Sequence, residues 1–210
     1  MIKSWSEVTL KKYKGLFDLI HTDWDSELSM NLALVSLLSD SNAEDLEVNV
    51  LTKYIDDLDF ITKKYEPKNP EKNYTINGRD YEVFFNVNKM TASQYIDFQN
   101  FYKSYDTNMH NLAACFLLPK GHMYGDDYDA REEAEFLNEY LTIDIFSDIM
   151  FFFVKLLQIS TKNSLISSEK EMKKMLKKTK DKVERRKILR SLIQTRQLLL
   201  LLENGGGLSE

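Results

Sequence analysis

Apolar residues along the chain recur mostly at intervals of three and four, the spacing that lines one face of a helix. Leu10, Tyr13, Phe17 and Ile20 form the first such stripe, with Thr9 placed as its N-cap. Leu28, Leu32, Val35 and Leu38 form a second, broken by Asp40-Ser41-Asn42. Leu51, Ile55, Leu58 and Phe60-Ile61 supply one or two further helices between Ala43 and Tyr65. Pro67 and Pro70 then close this N-terminal cluster, leaving 66–73 as a polar connector.

The period changes at Tyr74-Thr75-Ile76-Asn77-Gly78-Arg79-Asp80-Tyr81. Asn-Gly between two short β-prone runs predicts a type I′ hairpin near 74–87, because both central residues of that turn need positive φ. An isolated hairpin is barely stable in water, so this one must lie against helices. Helical spacing returns with Thr91-Ala92-Ser93-Gln94, a capping box that opens a helix presenting Tyr95, Phe98 and Tyr102. The next helix is expected from about Thr107 to Leu118, before Pro119. Asp129 is placed as the cap of a short helix over 130–140, and Thr142 opens a long apolar one over 143–166. Ser168-Glu169-Lys170-Glu171 reads as another capping box, starting a charged C-terminal helix over 167–203. Its apolar positions thicken from Ile188 to Leu202, but Arg186 and Arg190 interrupt the heptad phase, so a sustained coiled coil is not expected. Residues 204–210, with Gly205-Gly206-Gly207, form a flexible tail in this reading.

The expectation is a mainly α chain: a helical domain over 1–166 with one small hairpin, then a long C-terminal helix. Composition agrees, since 210 residues hold three prolines and seven glycines and can bury a real core. The single cysteine, Cys115, excludes an internal disulfide framework. The N-terminus lacks the apolar centre of a signal peptide. Asp144, Asp148 and Lys155 interrupt the one stretch apolar enough to suggest a membrane span, so none is expected.

Candidate chemistry is sparse. Asp126, Asp127 and Asp129 lack the full oxygen-ligand loop of a calcium site, and a solvated loop feeding an N-cap is the favoured reading. His21, His110 and His122 have no partner at metal spacing. Cys115 lies in Leu112-Ala113-Ala114-Cys115-Phe116-Leu117, an apolar setting that lowers thiol reactivity. Neither a phosphate-cradling glycine loop nor a nucleophile elbow is present. The residues therefore point to no catalytic group, no metal and no cofactor.

Charge is uneven. Residues 169–190 hold eleven Lys/Arg against four Asp/Glu, a balance of +7 in a chain whose total is −5. Contact with nucleic-acid phosphates is one reading. Pairs such as Glu169 with Lys173, and the lack of aromatics for stacking, favour a solvated helix face instead. The other candidate is apolar surface. Phe151, Phe152, Phe153 and Leu156, with Ile188, Leu192 and Leu199, are either core or the lining of a groove for a partner helix.

An ordered set of motifs resembles one family. It comprises Trp5-x-Glu7-Val8-Thr9-Leu10-x-x-Tyr13, Ile76-Asn77-Gly78-x-x-Tyr81 and Met90-Thr91-Ala92-x-Gln94-Tyr95-Ile96-Asp97. Leu112-Ala113, Pro119-Lys120-Gly121-x-x-Tyr124 and the Phe-rich helix complete it. Together these are similar to small proteins encoded near the tape-measure gene of tailed bacteriophages, notably phages of gut Bacteroidetes, which resemble tail assembly chaperones. The likeness covers roughly residues 1–166. It implies a non-enzymatic protein of the bacterial host's cytoplasm that binds the long helical tape-measure protein and keeps it soluble while tail-tube subunits polymerise around it. The seven apolar residues named above are then the expected contact positions, and a homo-oligomer is compatible. A structural virion component, such as a head-tail adaptor or tail completion protein, is the alternative, and a nucleic-acid-binding accessory acting through 169–190 is the second.

Overall fold

A computed structural model describes residues 1–125 and 129–203. Asp126, Asp127 and the Gly205–Gly207 run, both singled out in the sequence, lie outside the described residues. Contacts divide the chain into two compact units, Met1–Phe152 and Phe153–Glu210.

The first unit is mainly helical. Helix α1 (Leu10–Ile20) is capped by Thr9, whose hydroxyl accepts from the Lys12 amide at 3.4 Å. Its inward positions are Leu10 and Leu16, whereas Tyr13 is only half-buried and Phe17 and Ile20 are exposed. The expected stripe thus lies on the flank of the helix, because Leu16 shifts the buried face by one ridge. Helix α2 (Glu27–Ser39) is capped by Ser26 and ends at Asp40, whose φ of 54° turns the chain into the left-handed region. It buries Leu34, Val35 and Leu38, and Leu28 is outside. Gly15 lets α1 and α2 approach closely: a Cβ there would sit 3.2 Å from Leu37 Cδ1. After α3 (Val48–Asp57) a 3-10 turn places Phe60 under Trp5, edge to face at 5.2 Å, while the indole N–H donates to the Lys63 carbonyl at 3.0 Å.

The hairpin forms as the Asn-Gly pair dictates. Strands β1 (Asn73–Ile76) and β2 (Arg79–Val83) pair antiparallel, with Asn77 at φ 43° and Gly78 at φ 80°. A third strand, β3 (Leu117–Pro119), was not expected. The helix before it, α5 (Tyr105–Phe116), stops at Phe116, and Leu117–Pro119 pair with Tyr81–Val83 instead of continuing the helix. Two causes act together: Pro119 disfavours helix at Leu118, and β2 has an open edge to satisfy. On the other face Tyr81 donates its hydroxyl to Glu133, and Arg79 lies 3.8 Å over the Phe136 ring.

Helix α4 (Ala92–Tyr102) carries the expected capping box, Thr91 accepting from the Gln94 amide and Gln94 reaching back. Gln94 is buried, and its side-chain amide also donates to the Cys115 carbonyl at 2.6 Å, tying α4 to α5. Asp129 caps α6 (Ala130–Tyr140) by accepting from the Arg131 and Glu132 amides. Helix α7 begins at Ile143, where the Ile143 amide donates to Val8 and the Leu10 amide to Leu141, locking the N-terminal segment against its start. Asp148 on α7 accepts from the Tyr65 hydroxyl and the Lys68 amide, pinning the polar connector. Phe116, Phe146, Ile149, Leu112, Leu137 and Leu141 are fully covered. Each such side chain stabilises the fold by about 1.5–3 kcal/mol.

The second unit revises the C-terminal reading. Helix α7 runs without interruption from Ile143 to Lys178, so the helix start expected at Ser168 is absent. Ser168 and Glu169 are interior to a helix whose good formers on both sides outweigh a local capping pattern. The break falls at 179–181, and α8 (Lys182–Glu203) is opened by Asp181, which accepts from the Glu184 amide at 2.8 Å. The region is a helical hairpin. The long C-terminal helix is α8, which starts at Lys182 and not at 167.

Candidate interaction surface

The geometry of this hairpin decides which apolar residues are available. The Arg185 guanidinium closes the connection by donating to the Leu176 and Thr179 carbonyls, at 3.0 and 3.2 Å. Glu169 on α7 accepts from Arg196 on α8 at 2.8 Å and also pairs with Lys173 at 2.8 Å. Hydrogen bonds from Lys173 first, then Arg196, hold its carboxyl below the usual range. Ile188, Leu192, Thr195 and Leu199 recur at intervals of four, three and four, the spacing of a helix-packing seam. Leu192 and Thr195 are buried and their two neighbours half-buried. Leu165, Met172 and Leu176 on α7 are half-covered at matching spacing. A short heptad seam therefore exists, and Arg186 and Arg190 do not break it because they fall outside its face.

The row beside that seam is open. Leu189 is 43 % exposed, Ile193 56 % and Leu200 58 %. At 100° per residue these three lie within 40° of one another and one residue around from the seam. They form an apolar ridge, interrupted between Ile193 and Leu200 by Arg196 and Gln197. Arg186 and Arg190, both exposed, border it on the side away from the seam.

The seven residues expected to touch a partner are thus divided. Phe151 is half exposed. Phe152 is half-buried with its ring edge-on to Phe85 at 5.1 Å, Leu156 is half-buried and Phe153 is fully covered. Leu192 is interior, and Ile188 and Leu199 belong to the seam. Phe153 and Leu192 are core positions. The exposed ridge is displaced by one residue, to Leu189, Ile193 and Leu200. Two adjacent apolar rows look alike in a sequence, and only the packing of α7 against α8 shows which one is used.

Sequence reasoning also missed a groove on the first unit. Phe17 separates two cavities. One, of about 420 Å³, is lined by Tyr13, Tyr105 and Met109 with Asp18 and Asp106 at its edge. The other, of about 360 Å³, is lined by Trp5, Ile20, Ile61 and Tyr65. The desolvated Tyr105 hydroxyl has its pKa pushed up to about 12. The signal available in the sequence was the pair of aromatics on α1, Tyr13 and Phe17.

A third, polar cleft of about 1150 Å³ opens between α4, α5 and α6, with Asp97, His110, Glu132 and Glu135 among its walls. Asp97 accepts from the Tyr124 hydroxyl at 2.8 Å, and His110 is engaged by Lys14 at 2.9 Å. Cys115 lies behind Tyr124, fully buried, and burial pushes its thiol up to about 12. A thiol held protonated in this way is a poor nucleophile. Among the described residues no group of three His, Cys, Asp or Glu side chains is arranged to hold a metal ion, and no helix is long and apolar enough to cross a membrane.

No protein-family model matches the chain, and neither the curated proteins nor the solved structures include a significant match.

Proposed function

We propose that this protein is a non-enzymatic tail assembly chaperone of a tailed bacteriophage, acting in the cytoplasm of the bacterial host. In this reading it holds the tape-measure protein soluble while tail-tube subunits assemble. The motif resemblance suggests the class of client, and the observation that carries the reading is the open ridge of Leu189, Ile193 and Leu200. An amphipathic helix from a client docks on such a ridge through its own residues at i, i+3, i+4 and i+7.

The magnitudes suit a transient holder. Covering three half-exposed side chains stabilises a complex by about 3–4 kcal/mol. Association costs roughly 4–15 kcal/mol in lost freedom. One ridge alone therefore holds a client weakly, and useful retention needs additional contacts or several copies along a long client. Weak holding matches the task, since assembly must displace the chaperone and exchange is governed mainly by dissociation.

Co-expression with a tape-measure fragment tests this. The full chain is expected to raise client solubility and to co-purify with it, and Leu189→Asp with Ile193→Asp to abolish both effects. Unchanged client solubility with the unaltered chain would overturn the proposal. Mass spectrometry of purified virions provides the second readout: a chaperone is absent, and a fixed stoichiometric copy number would instead mark a structural component.

A further inference from the structure

Charge is divided along the same line as the contacts. Met1–Phe152 carries 14 Lys/Arg against 27 Asp/Glu, a net of −13, while residues 153–210 carry 14 against 6, a net of +8. The basic unit presents the Leu189, Ile193 and Leu200 ridge, bordered by Arg186 and Arg190. The acidic unit presents the apolar groove beside Phe17, whose charged lining is Asp18 and Asp106 with Lys14. Phe17 is 43 % exposed and Tyr105 41 %. The two arginines beside the ridge and the two aspartates beside the groove are opposite in charge.

We infer that α8 of one copy docks in the Phe17–Tyr105 groove of a second copy, with Arg186 and Arg190 directed to Asp18 and Asp106, so that copies associate head to tail. A parallel pairing of two α8 ridges is disfavoured, because it would bring the same arginines together. A groove and a ridge on different parts of one chain make a heterologous contact. Such a contact closes into a ring, of which a reciprocal dimer is the smallest, or propagates into an open chain. The inference does not depend on the client proposed above. If both hold, client and neighbouring copy compete for one ridge, so self-association covers the leucines until a client displaces it.

Sedimentation velocity on the full chain across a concentration series tests it. The expected result is a mass that climbs with concentration above the monomer at low salt and falls back in 1 M salt, where the screening length is about 3 Å. Ile193→Asp is expected to leave a monomer with unchanged helical circular dichroism. The decisive arm is a charge exchange. Arg186→Glu with Arg190→Glu, and separately Asp18→Lys with Asp106→Lys, should each abolish association, and mixing the two variants should restore it. A monomer at every concentration, a dimer that persists in 1 M salt, or a mixture that stays monomeric would each overturn the inference. Co-purification with a client fragment is scored separately, so failure here leaves the chaperone proposal to its own test.

Discussion

Lys14 on α1 donates to Nδ1 of His110 on α5 across 2.9 Å, a contact between a residue that is always cationic in water and one that is half-buried. Both groups are driven toward their neutral forms. Burial lowers the Lys14 pKa, with Glu135 opposing. Burial, and then the Lys14 charge, lowers that of His110, again against Glu135. Asn111 also contacts the ring, at Nε2. With its folded pKa below 6.5, His110 binds a proton more readily in the unfolded chain. Its contribution to stability is complete above pH 6.5 and is lost as pH falls through the lower folded value. Proton NMR of the ring should therefore give a midpoint below that of a free imidazole, and Lys14→Met should move it upward. A midpoint unaffected by Lys14→Met would show that the contact does not govern the histidine.

The hairpin turn permits a cleaner measurement, because backbone conformation is the sole variable. Gly78 has φ 80°, and a Cβ added there meets nothing within 4 Å. Gly78→Ala should cost about 1–2 kcal/mol, the penalty of the left-handed region for a residue with a Cβ. Gly78→Asn should cost less, since asparagine tolerates that region. Urea unfolding checks the order of the two. Equal losses would mean that something other than φ sets the cost.

Burial makes a chemical prediction for Cys115. Its thiol is fully covered and raised to about 12, so iodoacetamide at pH 8 should leave the folded protein unmodified and alkylate it fully in denaturant. Alkylation of the folded chain at the rate of a free thiol would contradict the packing of α5.

What could be read from the sequence was local chemistry that a few neighbouring residues settle among themselves. The Asn77-Gly78 turn, the Thr91–Gln94 capping box and the caps at Thr9 and Asp129 need no distant partner, and all are found. Features decided by tertiary pairing were hidden. Leu117–Pro119 becomes a strand only because β2 lies beside it, and Leu16 displaces Phe17 from the core only because α1 packs on α2 and α5. The exposed apolar row of α8 lies one residue from the positions expected, because apolar density marks the helix but not the row that its neighbour covers. Ser168 shows the opposite failure, a correct capping pattern overruled by a continuous helix.

The signal that starts α8 was present in the sequence as Asp181 with Glu184 three residues on, the spacing of a capping box. The Asp181 carboxylate accepts from the Glu184 amide at 2.8 Å, the third helical position, satisfying a donor the helix itself leaves open. The same carboxylate sits at the positive end of the helix dipole. Asp181→Ala should therefore weaken the start of α8 by about 1 kcal/mol, whereas Asp181→Ser or Asp181→Asn should retain most of the cap. Hydrogen exchange at the Glu184 amide reads this directly: faster in Asp181→Ala, close to the parent in the other two. The Arg185 bonds to the Leu176 and Thr179 carbonyls remain in every variant, so the turn itself should persist. If exchange at Glu184 were unaltered by Asp181→Ala, the break between the two helices would have to be assigned to those arginine bonds and not to the cap.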